Sequence, residues 1–315
     1  MQPSPAASLA SRGMASPPAP SSSFSPDAIS RRLVAEGRAA STYGLNANLF
    51  GMEVEALRAP YAALAAAVRE EFAAACGERF AREAIYVYPF EHLHVTAASP
   101  APFTHTTLAA APAAAEAAAE GGGGGGSGGG GADERAAFEA AYLAAARDEC
   151  VPAKGWPAAP FEVLVGAELR LDAACGILLC GDAAGAVPRV RRCLAACMQH
   201  PAVAALGEGV ARRAAFKHPN IVHMSFLRFV GDPAAAEGGD AAIRAAFARA
   251  VARAWPAPVR VLADAAYIVR ELRPYMHLRI GPRGGPPGED AACVAARLPY
   301  AFAAAAAAGG EEGVR

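Results

Sequence analysis

The sequence lacks several features that would assign it to a class directly. It has no run of 18 or more uncharged apolar residues that is long and apolar enough to span a bilayer. It has no excess of one charge, since 29 basic residues stand against 30 acidic ones, and this excludes a wholly basic nucleic-acid coat. It also lacks the phosphate-loop pattern G-x-x-x-x-G-K-S/T and any C-x-x-C pair.

Aromatic residues are scarce as well, at 7%, although hydrophobic residues make up 54% of the chain. Alanine supplies much of that hydrophobic fraction, so large core-forming side chains are fewer than the figure suggests. Low-complexity sequence occupies 1–40, a glycine-rich insertion at 109–132 and a tail at 281–315. We therefore expect one domain over 41–280, interrupted by a disordered insertion.

The N-terminal 1–40 segment fits two interpretations. Its first 26 residues are rich in Ser, Ala and Pro and contain Arg12 but no acidic residue. This composition is typical of a disordered tail, and an acid-poor, Ser-rich segment is also a property of organellar transit peptides. The compartment, cytoplasm or organelle, is therefore left open.

Strand and helix patterns alternate through the remaining sequence. Polarity with a period of two predicts a strand, and apolar residues every three or four positions predict a helix. The order predicts an α+β fold of two similar lobes, each with a helix and with strands around one histidine-bearing strand. The predicted strands are Tyr43–Phe50, Ile85–Ala98, Phe161–Leu171, Gly176–Cys180, Ile221–Val230, Val259–Val269 and Pro274–Ile280; the helices are Glu53–Cys76, Arg135–Ala146, Val190–Met198 and Ala241–Ala254.

Two of the seven histidines lie in predicted strands that share a short pattern. His94 stands two residues before Thr96, and His223 stands two residues before Ser225. In a strand, such residues point to the same face. Each segment therefore projects an imidazole and a hydroxyl together, and neighbouring strands would gather all four groups on one concave face.

This set of side chains suits phosphodiester chemistry without a metal. A neutral imidazole, with an ordinary pKa of about 6.5, can take a proton from water, and a protonated one can donate to a leaving oxygen. Two hydroxyls can donate hydrogen bonds to the non-bridging phosphate oxygens. The sequence does not assign the base to one histidine and the acid to the other.

In these residues the sequence resembles the two-histidine (2H) phosphoesterase superfamily, which includes RNA ligase-like and cyclic nucleotide phosphodiesterase proteins. The resemblance rests on the paired H-x-T/S strands, the first within PFEHLHVTAASP, and it covers 41–108 and 133–280. It implies a bilobed α+β fold in which two antiparallel sheets flank a cleft, with helices outside. It further implies cofactor-free cleavage or ligation of 2′,3′-cyclic phosphates or related nucleotide phosphodiesters, with His94, Thr96, His223 and Ser225 as catalytic residues. Ala97 departs from the larger apolar residue that is usual there.

Three further residues are candidates for substrate contact. Tyr43 and Tyr267 lie on an early and a late strand, where a tyrosine ring could stack on a base. Arg228 lies three residues beyond Ser225, so strict alternation turns it away, and a bulge after the motif would bring it to the cleft rim. Between 189 and 283 the chain has 15 basic residues against 6 acidic ones, which favours an anionic substrate such as a nucleotide or an RNA end.

Other functions could use the same residues. A nucleotide- or RNA-binding module would keep the cleft without turnover, and an RNA ligase-like enzyme would join ends instead of hydrolysing them. The pair His92 and His94, with His218 and His223, supplies nitrogen ligands for zinc in a metal-dependent hydrolase, although no aspartate follows closely. We expect no metal, no membrane association and no stable protein partner, and hence a monomer.

Overall fold

The computed structural model describes residues 22–27, 44–49, 55–102, 130–150, 155–271 and 294–300. Within them the strands form two antiparallel sheets. The strands are β1 (Gly44–Leu49), β2 (Ile85–Val87), β3 (Val95–Ala101), β4 (Phe161–Leu171), β5 (Cys175–Gly181), β6 (His223–Phe229), β7 (Val259–Ala263), β8 (Ala265–Glu271) and β9 (Val294–Pro299). Sheet A has the order β3-β1-β8-β9, and sheet B has the order β2-β6-β5-β4-β7.

Helices pack on the sheets, and the predicted α+β fold with two antiparallel sheets is confirmed. The most extensive helix–helix contact joins the helices Glu55–Cys76 and Gly239–Ala254, which pack along each other beside sheet B. No helix of the described ranges is long and apolar enough to cross a membrane. The helices are α1 (Glu55–Cys76), α2 (Glu78–Glu83), α3 (Gly130–Cys150), α4 (Ala186–Ala196), α5 (Pro201–Ala204), α6 (Glu208–Ala214) and α7 (Gly239–Ala254).

Strand β1 shows how sheet A is sandwiched, because all six of its residues are buried. Leu45 pairs with Arg270 of β8, and Arg270 donates to Glu139 of α3 at 2.7 Å. The side of β1 that carries Leu45 therefore faces the helices. Residues 46 and 48 point to the opposite side, toward sheet B.

Both chain ends add residues to the fold beyond the predicted 41–280 domain. We expected 281–315 to be a low-complexity tail, but β9 lies in it and pairs with β8. Tyr300 follows β9, is fully buried, and packs its ring 4.9 Å from that of Phe161. The buried ring of Tyr300 thus holds the end of this segment against the domain, next to the pairing of β9 with β8.

Residues 22–27 pack against the domain, although we expected 1–40 to be a disordered tail or a transit peptide. Phe24 is 2% exposed, with its ring 5.0 Å from that of Phe229. The backbone N–H of Ser23 donates to Asp240 at the start of α7 at 2.7 Å. One buried aromatic ring and one carboxylate in the first turn of α7 thus hold this segment against the domain. The predicted strand Pro274–Ile280 lies outside the described residues.

Candidate active site

The two histidine motifs lie on different sheets and meet. Cα atoms of β3 and β6 come within 8 Å of each other, and each of His94 and His223 lies at the entry to its strand. Thr96 and Ser225 follow on the same side, half-buried, while the intervening Val95 and Met224 are fully buried. The structure thus brings the two imidazole–hydroxyl pairs together, and their part in catalysis stays a prediction.

His94 is held by the turn that precedes its strand. A 3-10 turn, Phe90–His92, follows Pro89, and the His94 Nδ1 lies 3.1 Å from the His92 carbonyl oxygen. A carbonyl oxygen can only accept, so Nδ1 carries the hydrogen and the neutral ring has its lone pair on Nε2. Nε2 is therefore the atom that can take a proton.

The pKa of His94 is lowered to about 4, mainly by burial. The hydrogen bond to the His92 carbonyl raises this pKa, and the positive charges of His223 and Arg228 lower it. Burial disfavours the charged imidazolium, and a nearby positive charge has the same effect. His94 is therefore neutral at pH 7. The influence of His223 on it also shows that the two rings are close enough to interact.

The pKa of His223 is lowered from its ordinary value as well, mainly by burial and also by Arg191 and Arg228. The carbonyl of Ile221, two residues earlier, raises the pKa in the opposite direction. No described group meets full hydrogen-bond geometry with the His223 Nδ1, so this carbonyl is a neighbour at looser geometry. An anion bound between the two rings would raise both pKa values by charge attraction.

The hydroxyls of Thr96 and Ser225 make no hydrogen bond with the described residues. Both side chains are half-buried at the junction of the two strands. By strand alternation, each hydroxyl lies on the same side of its strand as the histidine two residues before it. A tetrahedral anion offers the oxygen acceptors that such donors require.

Arg191 of α4 connects the two motifs, whereas its sequence context indicated only one of the 15 basic residues between 189 and 283. Its Nε donates to the Ala97 carbonyl at 3.0 Å. Its terminal nitrogen NH2 donates to the Ile221 carbonyl at 2.9 Å and reaches the Thr96 carbonyl at 3.5 Å. One buried guanidinium, 7% exposed, thus joins the backbone of β3 to the segment that enters β6.

The position of Arg191 follows from how α4 starts. The Asp182 carboxylate accepts hydrogen bonds from the backbone N–H groups of Ala186 and Val187, at 3.0 and 2.7 Å, and fixes the first turn. The buried face of α4 then includes Val190, Arg191 and Leu194. A charged residue inside an apolar helical stripe is the sequence signal that would have identified Arg191.

Arg228 lies on the same side of β6 as Ser225. The register between β5 and β6 shifts at this point, with Ile177 opposite Ser225 and Gly176 opposite Leu227, so Phe226 is an extra residue. Such a bulge reverses the alternation beyond it. The Arg228 guanidinium, 4% exposed, donates to the Tyr88 hydroxyl at 2.6 Å and contacts the Asp27 carboxylate at 2.5 Å. Its contact with substrate remains a prediction.

Tyr267 of β8 lies across sheet A from the first motif, with strand β1 between them. Its hydroxyl accepts from the Nε of Arg297 at 3.0 Å, and the Arg297 guanidinium lies 5.7 Å from its ring centre. One face of the ring is therefore occupied by this cation. Base stacking by Tyr267 stays a prediction, and Tyr43 lies outside the described residues.

The histidines that could supply zinc ligands are arranged differently from the predicted H-x-H strand. His92 ends the 3-10 turn, so it does not share a regular strand with His94. His218 is exposed, and its Nδ1 lies 3.3 Å from the Pro219 carbonyl. Among the described residues no three His, Cys, Asp or Glu side chains cluster as metal ligands would.

Comparisons with known proteins give one weak structural likeness. No protein-family model matches the chain, and no curated protein matches it. A solved structure described as the crystal structure of TT0787 of Thermus thermophilus is similar over 82% of this chain and 98% of the other, with 15% identity and a TM-score of 0.40.

Proposed function

We propose that the chain is a metal-independent phosphodiesterase that hydrolyses a cyclic phosphate, or a nucleotide or RNA-end phosphodiester, by general acid–base catalysis with two histidines. The meeting of His94 and Thr96 with His223 and Ser225, from two separate sheets, is the observation that carries this proposal. Two proton-transfer groups and two hydroxyl donors around one space match the needs of a phosphoryl transfer. The resemblance to the 2H superfamily in these four residues points to the same reaction.

His94 is the proposed general base. Its depressed pKa, about 4, keeps it neutral, and its Nδ1–H contact with the His92 carbonyl leaves Nε2 to accept the proton. Nε2 removes a proton from water, and the water oxygen forms a new bond to phosphorus. The bond from phosphorus to one ribose oxygen breaks in the same displacement.

His223 is the proposed general acid. The anionic phosphodiester raises its pKa on binding, so the ring is protonated when it is needed. It donates that proton to the leaving ribose oxygen, which departs as a hydroxyl group. A phosphomonoester remains, and transfer of the proton from His94 to His223 through solvent restores the starting state.

The hydroxyls of Thr96 and Ser225 are proposed to hold the non-bridging oxygens, and the positive charge of Arg228 to favour anion entry. Hydrogen bonds from fixed donors stabilise the charge that builds up on these oxygens in the transition state. Arg228 keeps its Tyr88 and Asp27 contacts in this proposal and acts through its field.

Hydrolysis of 2′,3′-cyclic AMP by the full-length chain with EDTA present tests the proposal. Turnover in the wild type, together with its loss in a His94→Ala/His223→Ala double variant, is the expected result. Turnover that EDTA abolishes would contradict the metal-independent mechanism. Nucleotide binding without turnover would instead support a binding module.

A further inference from the structure

A row of polar side chains crosses sheet A beside the first motif. The register pairs Thr96 of β3 with Asn48 of β1, Asn48 with Tyr267 of β8, and Tyr267 with Arg297 of β9. Directly paired residues of an antiparallel sheet point to the same face. The four side chains therefore lie together on the face that carries Thr96, which we name the cleft face.

Two asparagines on this face are buried without a partner for one atom. Asn48 is 1% exposed and Asn46, two residues earlier on the same face, is 5% exposed. The Oδ1 atom of each makes no hydrogen bond with any group of the described residues. A buried acceptor without a donor is costly and uncommon in a folded protein, so each of these atoms requires an explanation.

The other buried polar side chains of the described ranges show the contrast. Arg191 and Arg228 are buried to a similar degree, and each has protein acceptors at 2.5 to 3.5 Å. Their role in the fold is visible in those contacts. The asparagine oxygens hold nothing together, so a structural role does not account for them.

We propose that Asn46 and Asn48 form a nucleoside subsite, in which their Oδ1 atoms accept hydrogen bonds from the sugar or base of the substrate. The inference rests on the proposed function, because it takes the phosphate to lie at Thr96. Side chains paired across strands have Cβ atoms about 5 Å apart, and residues two apart on a strand lie about 7 Å apart. The two amides thus extend away from the phosphate over the span of a ribose and its base.

The chemistry of the unpartnered atom selects the ligand class. An amide oxygen is an acceptor, so it binds a donor such as a base N–H or a ribose O–H. The Nδ2 group of the same amide is a donor, so the side chain as a whole suits a ribose or a base edge, which offers donors and acceptors together. The subsite therefore favours a nucleoside cyclic phosphate over a cyclic phosphate that carries no base.

The test compares Asn48→Leu and Asn46→Leu with the wild type on two substrates, 2′,3′-cyclic AMP and glycerol 1,2-cyclic phosphate. We expect KM for the nucleotide to rise about 10-fold in each variant, the effect of one hydrogen bond, with the glycerol substrate unchanged. The thermal midpoint should stay constant or rise, because leucine removes an unsatisfied buried acceptor. Asn220→Leu, at an exposed position shortly before β6, is the matched control and should change neither kinetics nor stability.

Equal losses on both substrates, or a fall in the thermal midpoint with no change in substrate preference, would overturn the subsite. A wild type that hydrolyses neither substrate would contradict the proposed function instead. The subsite is then judged by calorimetric binding of adenosine 2′-monophosphate. A Kd about 10-fold weaker in Asn48→Leu supports it, and an unchanged Kd overturns it.

Discussion

The two histidine motifs share a sequence pattern and have different surroundings. Strand β3 is a terminal strand of sheet A in the described order, while β6 lies between β2 and β5 in sheet B. His94 has the His92 carbonyl as a hydrogen-bond acceptor at 3.1 Å. The Ile221 carbonyl, which lies near His223, accepts a hydrogen bond from the guanidinium of Arg191 at 2.9 Å.

Because of these different surroundings, one local pattern can serve two proton-transfer roles. The first imidazole is oriented by a carbonyl in a tight turn and is the more strongly neutral of the pair. Near the second imidazole, the positive side chain of Arg191 is bonded to the Ile221 carbonyl. The protonation of His223 therefore depends on how much negative charge the ligand brings. Equivalent sequence therefore leads to inequivalent chemistry through the neighbours that the fold supplies.

Replacement of either histidine is expected to have the largest effect. His94→Ala and His223→Ala should each reduce kcat on 2′,3′-cyclic AMP by at least about 100-fold, since each removes one proton transfer. Steady-state kinetics of the two variants side by side is the measurement. Near-normal turnover in either variant would contradict the two-histidine mechanism.

The hydroxyls should matter less than the imidazoles. Thr96→Val and Ser225→Ala each remove one hydrogen bond to a charged oxygen, which corresponds to roughly 10- to 100-fold in kcat. The valine keeps the shape of the threonine, so packing of β3 is retained. If KM rises instead with kcat constant, the hydroxyls bind the ground state and the transition state equally.

The pH dependence of kcat/KM should be bell-shaped with an acidic optimum. The base must be neutral, so activity rises as pH increases through the His94 pKa of about 4. The acid must be protonated, so activity falls as pH increases through the His223 pKa, which burial holds below its ordinary value. Each limb should change about tenfold per pH unit. A profile that stays flat between pH 5 and 8 would be inconsistent with this pair.

Arg191→Met should have the smallest effect of these changes. We expect it to move one limb of the pH profile, the limb set by His223, and to leave the other in place. Loss of the Arg191 charge raises the pKa of His223, so the alkaline limb moves to higher pH. The remaining charged neighbours of His223 are Arg228 on β6 and Asp172 between β4 and β5, and His94 faces it from the entry to β3. The limb at low pH, which reports the pKa of His94, should not move, since burial, His223 and Arg228 lower that pKa and Arg191 does not contribute.

Two further variants interpret that shift. Arg191→Lys keeps the charge and loses part of the contacts with the backbone carbonyls. The alkaline limb of its pH profile should therefore stay in place, while the protein becomes less stable to heat. Arg192→Met removes the adjacent, exposed charge and should leave both limbs and stability unchanged. A limb that moves equally in Arg191→Lys and Arg191→Met would assign the effect to backbone geometry and not to charge.

Local patterns predicted most of the elements that frame the site. Strands β1, β4, β5 and β6 and helices α1 and α7 match the predicted segments closely, because period and burial are readable within a short window. The alternation at Thr96 and Ser225 also follows from strand geometry alone.

What the sequence did not reveal depends on distant pairing. A bulge that brings Arg228 to the side of Ser225 was only one of two alternatives in the sequence, because its presence at Phe226 depends on the register between β5 and β6. The asparagines of β1 can be placed beside the first motif only through the sheet register, which pairs Asn48 with Thr96 on one side and with Tyr267 on the other. β9 was missed because its residues lie in an alanine-, glycine- and proline-rich stretch, and only the pairing with β8 defines it as a strand.

Sheet A also fixes the order in which the protein can be completed during synthesis. Strand β1 is synthesised shortly before its neighbour β3 and long before its other neighbour β8. The strand that carries Asn48 must therefore wait until every strand of sheet B has been made before it gains its second partner, and contacts of such long sequence separation slow folding. A ribosome that stalls before β9 would release a chain with β8 unpaired along one edge, which is a substrate for chaperones and proteases.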